Sequence, residues 1–418
     1  MELDEQIFRR ESGRLVAAVT RIFGVHNLPL AEDVVQDAFC RALEVWKERG
    51  VPDNPAAWLM TAAKNRALDV VRRERTARTF APELGRLLES EWTIVPLLDE
   101  AFAAHTIRDE QLRMMFSCCH PRLSEDTQVA LILNILCGFG ANEIASAFLI
   151  GCAAIEKRIS RGKRVLASAT RLFDLADDEF DSRLSAVRRA LYLLFNEGYH
   201  GSSPKSAVRV ELCREAMRLT SLLREHGPAA TPTTNALASL MCLHAARLPS
   251  RLDAGGDLSA LADQDRSAWD ALLLEEGLAL LEQSAGGLTL TSYHVEAAIA
   301  AVHASARGVD DTDWAAIVAL YDRLMDIAPS PVVALNRAIA ICERDGAEEG
   351  LEALRAIDDR ERLSMYPFFP AAAGEMELRR GNWLSARTNF EAAIGLARNA
   401  TERRYLEKRL RGCRPTAT

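Results

Sequence analysis

Leu123–Leu166 reads LSEDTQVALILNILCGFGANEIASAFLIGCAAIEKRISRGKRVL and decides the fold of the middle of the chain. Its apolar residues recur at helical spacing, and glycines at Gly138–Gly140 and Gly151 interrupt that spacing twice. The interruptions predict a short helix over Asn142–Leu149 and a second helix from about Cys152. Two short helices joined by a tight turn form a helix-turn-helix.

Other residues of this segment fit the same interpretation. Ser124 can cap the helix that opens the segment, and Glu125 and Asp126 favour the positive end of its dipole. The last helix is basic, because Cys152–Leu166 holds five lysines and arginines against Glu156 alone. The apolar contacts that would hold the two short helices together come from Ile144, Ala145, Phe148, Ile155 and Ile159.

A second helical stretch lies nearer the N-terminus. Ala31–Arg75 reads AEDVVQDAFCRALEVWKERGVPDNPAAWLMTAAKNRALDVVRRER. Its first helix would leave Asp33, Gln36 and Asp37 on one face and bury another face made of Val35, Phe39, Ala42, Leu43 and Trp46. The prolines of Val51–Pro55 predict a loop. A second helix over about Ala56–Arg75 would bury Trp58, Leu59, Ala62, Ala63, Leu68 and Val71.

The charge is distributed unevenly along the chain. Over 418 residues the net charge is −8, yet Lys64–Arg78 holds six lysines and arginines against two acids. Local basic stripes decide contact with phosphates more than overall charge does. Residues 79–106, between the two basic clusters, carry five acids against Arg86 alone and form an acidic linker. For either basic cluster taken alone, a solvated helix face is an equally good interpretation.

Composition and motifs narrow the class of protein. The opening MELDEQIFRRE lacks the apolar core of a signal peptide, and no run approaches the ~18 apolar residues of a membrane helix. Nine scattered cysteines favour reduced thiols in a cytoplasmic protein. The adjacent Cys118, Cys119 and His120 lack the partners of a zinc site, so a structural role is favoured over a metal or redox role. No motif for catalysis appears, so we expect no enzyme and no cofactor.

The rear half shows a period of about 34 residues, the length of a tetratricopeptide repeat. One repeat is indicated by Gly374 and by Gly381, Trp383, Ala386, Phe390 and Ala393. Gly346 occupies the same turn position one repeat upstream, and a further repeat is suggested by Trp314, Tyr321, Leu324 and Pro329. Repeats of this kind stack helix pairs into a solenoid with a concave face.

These motifs resemble a known family. AEDVVQDAF followed by AWLMTAAKNRALDVVRR resembles region 2 of extracytoplasmic-function sigma factors, and Leu123–Leu166 resembles their region 4. FSCCHP (Phe116–Pro121), LYLLFNEGYHGSS (Leu191–Ser203) and LADQDRSAWD (Leu261–Asp270) resemble segments of a subgroup with a tetratricopeptide-like C-terminal extension. The resemblance implies an all-α fold with region 2 at 1–78, a linker at 79–106, a region-4 helix-turn-helix at 107–170 and the extension at 171–418.

The resemblance also implies roles for individual residues. In that family one face of the first helix binds the largest subunit of RNA polymerase, and here this role falls on Asp33, Gln36 and Asp37. The helix after the proline loop opens and reads the −10 element, a role that falls on Asn54, Lys64, Asn65, Arg66, Arg72 and Arg73. The loop Val51–Pro55 would hold a flipped base, because Trp58 is expected in the core. The −35 element would be read by Glu156, Lys157, Arg158, Ser160, Arg161 and Arg164.

The expected partners are bacterial core RNA polymerase, promoter DNA, and a protein or small-molecule ligand of the solenoid, with no membrane. In the subgroup the extension is thought to regulate the sigma factor in cis. An alternative is a free-standing helix-turn-helix transcription regulator with a ligand-sensing solenoid, which leaves the face of Asp33 and Asp37 unexplained. A third class, an enzyme or scaffold built on the solenoid, would need a convergent set of polar groups there.

Overall fold

The computed structural model describes residues 11–20, 27–77, 109–168, 177–204, 206–253 and 255–413. Within these ranges the regular structure is helical, and the β-type pairing is confined to one isolated bridge between Leu252 and Leu258. The predicted all-α class is therefore confirmed. The predicted acidic linker at 79–106 lies outside the described residues. No helix in the described ranges combines the length and the apolar character needed to cross a membrane.

The chain divides into two compact units. The first contains Met1–Ala145, Gly151–Ala190 and Glu225–Ala229, and the second contains Ser146–Ile150, Leu191–Arg224 and Ala230–Thr418. The predicted domain boundaries stay a prediction. Helix α1 covers residues 11–20, and the next helices are α2 (Leu28–Arg49), α3 (Pro55–Ala77), α4 (Glu110–Cys118), α5 (Glu125–Ile135), α6 (Ala141–Phe148) and α7 (Cys152–Ala167).

The remaining helices follow in chain order. They are α8 (Asp177–Tyr199), α9 (Val210–Glu225), α10 (Pro232–Ala245), α11 (Ala271–Ser284), α12 (Ser292–Ser305), α13 (Trp314–Ile327), α14 (Pro331–Asp345), α15 (Ala347–Arg355), α16 (Phe368–Arg379), α17 (Trp383–Leu396) and α18 (Ala400–Gly412).

The residues of the loop between α2 and α3 determine where the first helix ends and the second begins. Gly50 ends α2 with φ +80°, a conformation that favours glycine. Asn54 then caps α3, because its Oδ1 accepts a hydrogen bond from the backbone N–H of Ala57 at 3.0 Å. Pro55 occupies the first helical position, where its missing N–H costs nothing. The predicted break at Val51–Pro55 is confirmed.

The apolar stripes of α2 and α3 form the core of this pair. Helix α2 buries Leu28, Ala31, Val34, Val35, Ala38, Ala42 and Trp46. Trp58 on α3 packs edge-on against Trp46 with ring centroids 5.5 Å apart, which agrees with its predicted core role. The predicted burial of Leu43 is wrong, because its side chain is 51% exposed. Leu43 lies about 100° around the helix from the buried Ala42.

Helix α5 is the centre of the helix-turn-helix region, and all its apolar residues are buried. Helix α7 lies so close to it that a Cβ added at Gly162 would stand 2.8 Å from Leu131 Cδ1. Ser124 occupies the N-cap position of α5, as predicted, but its hydroxyl pairs with Thr127 Oγ1 at 2.9 Å and not with a backbone N–H. At the start of α6, Glu143 Oε2 accepts the N–H of Gly140 at 2.8 Å, which compensates for a glycine at that position.

In the second unit consecutive helices share core clusters. Helices α12, α13 and α14 pack in one cluster, and α14, α15 and α16 pack in the next. The turns between α14 and α15 and between α16 and α17 contain Gly346 (φ +120°) and Gly381 (φ +76°), as the repeat pattern predicted. A Cβ added at Gly374 would lie 3.3 Å from Phe390 Cδ1, so α16 and α17 approach closely. Helix pairs occur where the repeats predicted them, and the solenoid itself stays a prediction.

Candidate nucleic-acid interface

Helix α7 has one buried face and one exposed polar face. Ile155, Ile159, Gly162 and Leu166 recur every three or four positions and are buried. The opposite face carries most of the residues predicted for the −35 element, and these side chains are exposed: Glu156, Lys157, Ser160, Arg161 and Arg164. A helix with such a polar, basic stripe can enter the major groove and reach both base edges and phosphates.

Arg158 differs from the other predicted −35 residues. Its guanidinium Nη1 lies 3.3 Å from Asp126 Oδ2 on α5, and its side chain is 28% exposed. Asp126 also accepts from Arg189 at 2.7 Å, so one carboxylate bridges α7 and α8. Arg158 is thus only partly exposed, and its predicted contact with the −35 element stays a prediction. Helix periodicity alone did not reveal its partner on another helix.

The turn between α6 and α7 consists of residues 149–151. Leu149 has φ +51°, in the left-handed region that L-residues rarely adopt, and Gly151 precedes the first residue of α7. The chain therefore passes from one helix to the next in three residues, the length expected for a helix-turn-helix.

The residues predicted for the −10 element have different environments. Lys64 and Asn65 are exposed on α3. Arg66 Nε donates to Asp37 Oδ2 on α2 at 2.7 Å, and the two side chains are 37% and 51% exposed. Arg72 and Arg73 belong to α3, but their side chains lie outside the described part of the structure. Asn54 is exposed and caps α3, a structural role that its sequence position alone did not reveal.

The predicted polymerase-docking residues share one exposed face of α2. Asp33, Gln36 and Asp37 are exposed, while the neighbouring Val34 and Val35 are buried. The ion pair between Asp37 and Arg66 brings this face next to the predicted −10 residues on α3. An exposed pair contributes about 0–1 kcal/mol, so Asp37 can exchange its partner at little cost.

Sequence reasoning missed one ion pair, which joins the basic helix α7 to α2. Lys163 Nζ on α7 lies 2.6 Å from Glu32 Oε1 on α2, with both side chains about one quarter to one third exposed (26% and 30%). Helix α1 approaches the end of α5 closely, because a Cβ added at Gly13 would lie 1.9 Å from the carbonyl oxygen of Leu136. No local signal marks such pairs, since their partners lie far apart along the chain.

Cys118 and Cys119 are fully buried at the end of α4. Cys119 Sγ donates to the carbonyl of Met115 at 3.3 Å. Burial raises the pKa of the Cys118 thiol to about 12, and burial also raises the pKa of Cys119 well above its usual value. Both thiols are therefore protonated at neutral pH and unreactive, which fits the structural role. In the described ranges no group of three or more His, Cys, Asp or Glu residues is placed to hold a metal ion.

The NEGYHGSS segment forms a buried clip. Glu197 binds the guanidinium of Arg209 and accepts from Ser202 N at 2.9 Å and Ser202 Oγ at 3.1 Å. A Cβ added at Gly198 would lie 2.7 Å from Cys213 N, so only glycine fits there. The segment thus lies at the end of α8 and joins it to the start of α9.

Comparisons with known proteins agree with this geometry. Residues 7–77 match Sigma-70 region 2, and residues 183–285 match a family of unknown function (DUF6596). The chain is 39% identical to the uncharacterized protein R00370 of Rhizobium meliloti (strain 1021), over 94% of this chain and 92% of that protein. It is 30% identical to the RNA polymerase sigma factor CarQ of Myxococcus xanthus, over 38% of this chain and 83% of CarQ. It is 27% identical to the ECF RNA polymerase sigma factor SigK of Mycobacterium sp. (strain KMS), over 38% of this chain and 79% of SigK.

A module that matches sigma-70 region 2, followed by a helix-turn-helix with an exposed basic helix, defines a transcription initiation factor of the sigma-70 class. The chain belongs to the extracytoplasmic-function RNA polymerase sigma factors, in the subgroup with a C-terminal extension. It acts as a sigma factor in promoter-specific initiation, and its partners are core RNA polymerase and promoter DNA. The predicted family and function are confirmed, and the free-standing regulator is not favoured. Sigma factors are non-enzymatic regulators.

Proposed function

We propose that the exposed stripe of α7 reads the −35 element in duplex form. The observation that carries this proposal is the continuous exposure of Glu156, Lys157, Ser160, Arg161 and Arg164. Arginine and lysine side chains neutralise phosphates and fix the register, while bidentate contacts to base edges discriminate sequence. Arg158 supports this surface from behind through Asp126, and we assign it a positioning role.

The exposed face of α2 with Asp33, Gln36 and Asp37 is proposed to dock on the polymerase. Its acidic character fits a basic partner surface, because matched charges speed and orient association. Lys64, Asn65 and Arg66, together with Arg72 and Arg73 further along α3, are proposed to engage the −10 element. The loop Val51–Pro55, with Asn54 at the start of α3, lies at the N-terminal end of that helix and is proposed as the pocket for a flipped base.

The extension at 171–418 is proposed to regulate the sigma regions in cis. Support comes from its size and order: Leu191–Arg224 and Ala230–Thr418, with nearly all of α9 and all of α10 to α18, belong to a second compact unit that a minimal sigma factor does not need. The match of residues 183–285 to a family described only as of unknown function leaves its signal to be identified. The cytoplasm, where RNA polymerase works, is the proposed location.

Reconstituted transcription tests these assignments. Purified bacterial core polymerase, the full chain and the promoter region of its own operon should give a specific run-off transcript. Asp37→Arg should abolish core binding with the fold unchanged by circular dichroism, because the reversed charge repels a matched partner. Asp310→Arg, an exposed acid of the extension, is the matched control and should bind core normally. Retained binding by Asp37→Arg would move the docking face elsewhere.

The cis-regulatory role has a separate test. A chain that ends after Ala190 keeps α1 to α7 and the part of α8 that belongs to the first unit. Provided that circular dichroism shows it to be folded, its run-off transcription should differ from that of the full chain in either direction. Equal activity of the two forms would make the extension a passive appendage.

A further inference from the structure

A cluster of arginines and aromatic rings lies within the second unit, outside the DNA-binding and docking surfaces. We call it the arginine–aromatic cluster, and it consists of Tyr199, His244, Arg247, Arg251, Arg266 and Trp269. The guanidinium carbon of Arg247 lies 5.3 Å from the ring centroid of Trp269 and 6.0 Å from that of Tyr199. Arg266 lies 5.3 Å from the Trp269 ring, and Arg251 lies 4.7 Å from the Tyr199 ring.

The three arginines of this cluster have neutral hydrogen-bond acceptors. Arg247 donates to the amide oxygen of Gln264 at 3.2 Å. Arg251 contacts the carbonyl of Tyr199 and the ring of His200. Arg266 donates to the carbonyls of His303 and Ala306 and to the hydroxyl of Thr312. Among the described residues no carboxylate forms an ion pair with any of the three, although Asp311 acts on Arg266 at longer range.

Other arginines of the same unit show that this pattern is unusual. Arg209 is paired with Glu197, Arg398 with Glu402, and Arg409 with Glu375. Arg247, Arg251 and Arg266 are half-buried, and cations partly removed from water are normally paired with a carboxylate because an unpaired charge is costly to desolvate. Stacking on an aromatic face stabilises each cation by only about 0.5–2 kcal/mol. The cluster therefore concentrates positive charge that the described side chains do not neutralise.

The cluster also contains buried polar atoms that lack a hydrogen-bond partner in the described structure. They are Tyr199 Oη, His244 Nδ1, Arg251 Nε and Trp269 Nε1. Trp269 is only 6% exposed, so its indole N–H cannot turn to bulk water. Burial lowers the pKa of His244 to about 3, with a further contribution from the two nearest arginines, so its ring is neutral and one of its nitrogens can donate. Several donors and an excess of positive charge thus occur together.

Positive charge and hydrogen-bond donors of this kind suit an anionic ligand that carries several acceptor oxygens. Phosphate and carboxylate groups offer several acceptor lone pairs, and guanidinium groups bind them with charge-assisted hydrogen bonds. We propose that the arginine–aromatic cluster binds a small oxyanion, a phosphate- or carboxylate-bearing metabolite, with Arg247 and Arg251 as its principal ligands. The binding itself is independent of the proposed cis-regulation, and only its effect on transcription rests on that proposal.

The test uses the full-length chain and two probes, inorganic pyrophosphate and citrate, with sodium chloride at matched ionic strength as the reference. Each probe is titrated while the unfolding temperature Tm is followed, and binding is measured by calorimetry. A saturable rise of at least about 3 °C with one probe is expected, because a ligand that binds only the folded chain stabilises it. The responding probe distinguishes a phosphate ligand from a carboxylate ligand.

Three variants locate the response. Arg247→Gln and Arg251→Gln should abolish it, and Arg355→Gln, an exposed arginine on α15, should respond like the wild type. Without a probe, Arg247→Gln should have a Tm equal to or above that of the wild type, because it removes a half-buried charge that no described carboxylate neutralises. A structural arginine would instead lower the Tm on substitution.

Three results would overturn the proposal: no saturable response of the wild type to either probe, a response kept by both Arg247→Gln and Arg251→Gln, or a clear loss of Tm in unliganded Arg247→Gln. Run-off transcription with and without the bound probe is a separate readout. Binding at the cluster without any change in transcription would count against cis-regulation and leave the anion site standing.

Discussion

Two arginines one turn apart on α7 should respond differently to the same substitution. Arg161 is exposed on the stripe that we assign to DNA, whereas Arg158 is turned toward Asp126 on α5 at 3.3 Å. Replacing each by alanine removes the same charge from the same helix. Comparing the two variants therefore separates the effect of a contact to DNA from the effect of a changed net charge.

The expected magnitudes follow from these environments. An arginine that reaches a base edge contributes about 1–3 kcal/mol, so Arg161→Ala should weaken promoter binding about 5- to 150-fold. The pair of Arg158 with Asp126 is partly exposed, at 28% and 42%, and contributes about 0.2–1 kcal/mol to stability. Asp126 keeps Arg189 as a partner after Arg158→Ala, so no carboxylate is left alone. Arg158→Ala should therefore change promoter affinity less than about threefold.

The assay is the affinity of the reconstituted holoenzyme for a promoter duplex, measured by fluorescence anisotropy over a range of salt concentrations. If Arg161 contacts a phosphate, Arg161→Ala should also reduce the salt dependence by about one counterion. If it contacts a base, the loss should disappear on a promoter altered at that base pair. An equal loss for Arg158→Ala and Arg161→Ala, with both variants folded, would refute the reasoning from exposure.

The remaining expectations concern stability and are measured by urea denaturation. Glu197→Gln removes the carboxylate that pairs with buried Arg209, so the free energy of unfolding should fall by about 3–5 kcal/mol, and an unchanged value would show that the clip is dispensable. Gly162→Val places side-chain atoms against Leu131 and should cost about 1–3 kcal/mol, whereas an unchanged midpoint would mean that α5 and α7 separate freely. Burial raises the pKa of Glu296 from 4.5 to about 7, so between these pH values the folded chain holds a proton that the unfolded chain has released. The free energy of unfolding should therefore fall as the pH rises from 4.5 through 7, by at most about 3 kcal/mol. Glu296→Gln should remove that part of the pH dependence, and an identical slope in the variant would assign it to another group.

Local patterns in the sequence were sufficient for the helices and turns of the first unit. The prolines of the loop predicted where α2 ends and α3 begins, because turn preferences are local. Side-chain partners were harder to predict. The exposure of Leu43 depends on the width of the buried stripe, and the pairing of Arg158 with Asp126 depends on how two helices pack. Neither quantity is encoded by residue spacing within one helix.

The extension shows the same division between local and distant information. Gly346 and Gly381 marked the turns because a positive φ favours glycine wherever it occurs. The arginine–aromatic cluster was not predicted, since Tyr199, Arg247 and Trp269 belong to three separate segments and no motif joins them. A site assembled from distant segments becomes visible only when the fold places its members together.

The ion pair of Lys163 with Glu32 has a consequence for promoter binding. By their names the −10 and −35 elements lie about 25 base pairs apart, and at 3.4 Å per base pair this separation is roughly 80 Å. In the structure Lys163 on α7 and Glu32 on α2 are 2.6 Å apart. If α3 and α7 engage the two elements together, as we propose, this pair has to break. The pair is partly exposed and contributes only about 0–1 kcal/mol, which makes its opening readily reversible.

Lys163→Met should therefore increase affinity for core polymerase by up to about fivefold, because the free protein loses a contact that the bound form does not make. Lys157→Met, an exposed lysine of the same helix, is the matched control and should leave core affinity unchanged in the absence of DNA. The charge-swapped double variant Glu32→Lys, Lys163→Glu should restore wild-type affinity, since it restores the attraction. If Lys163→Met binds core no better than the control does, the ion pair of Lys163 with Glu32 does not hold the free protein closed.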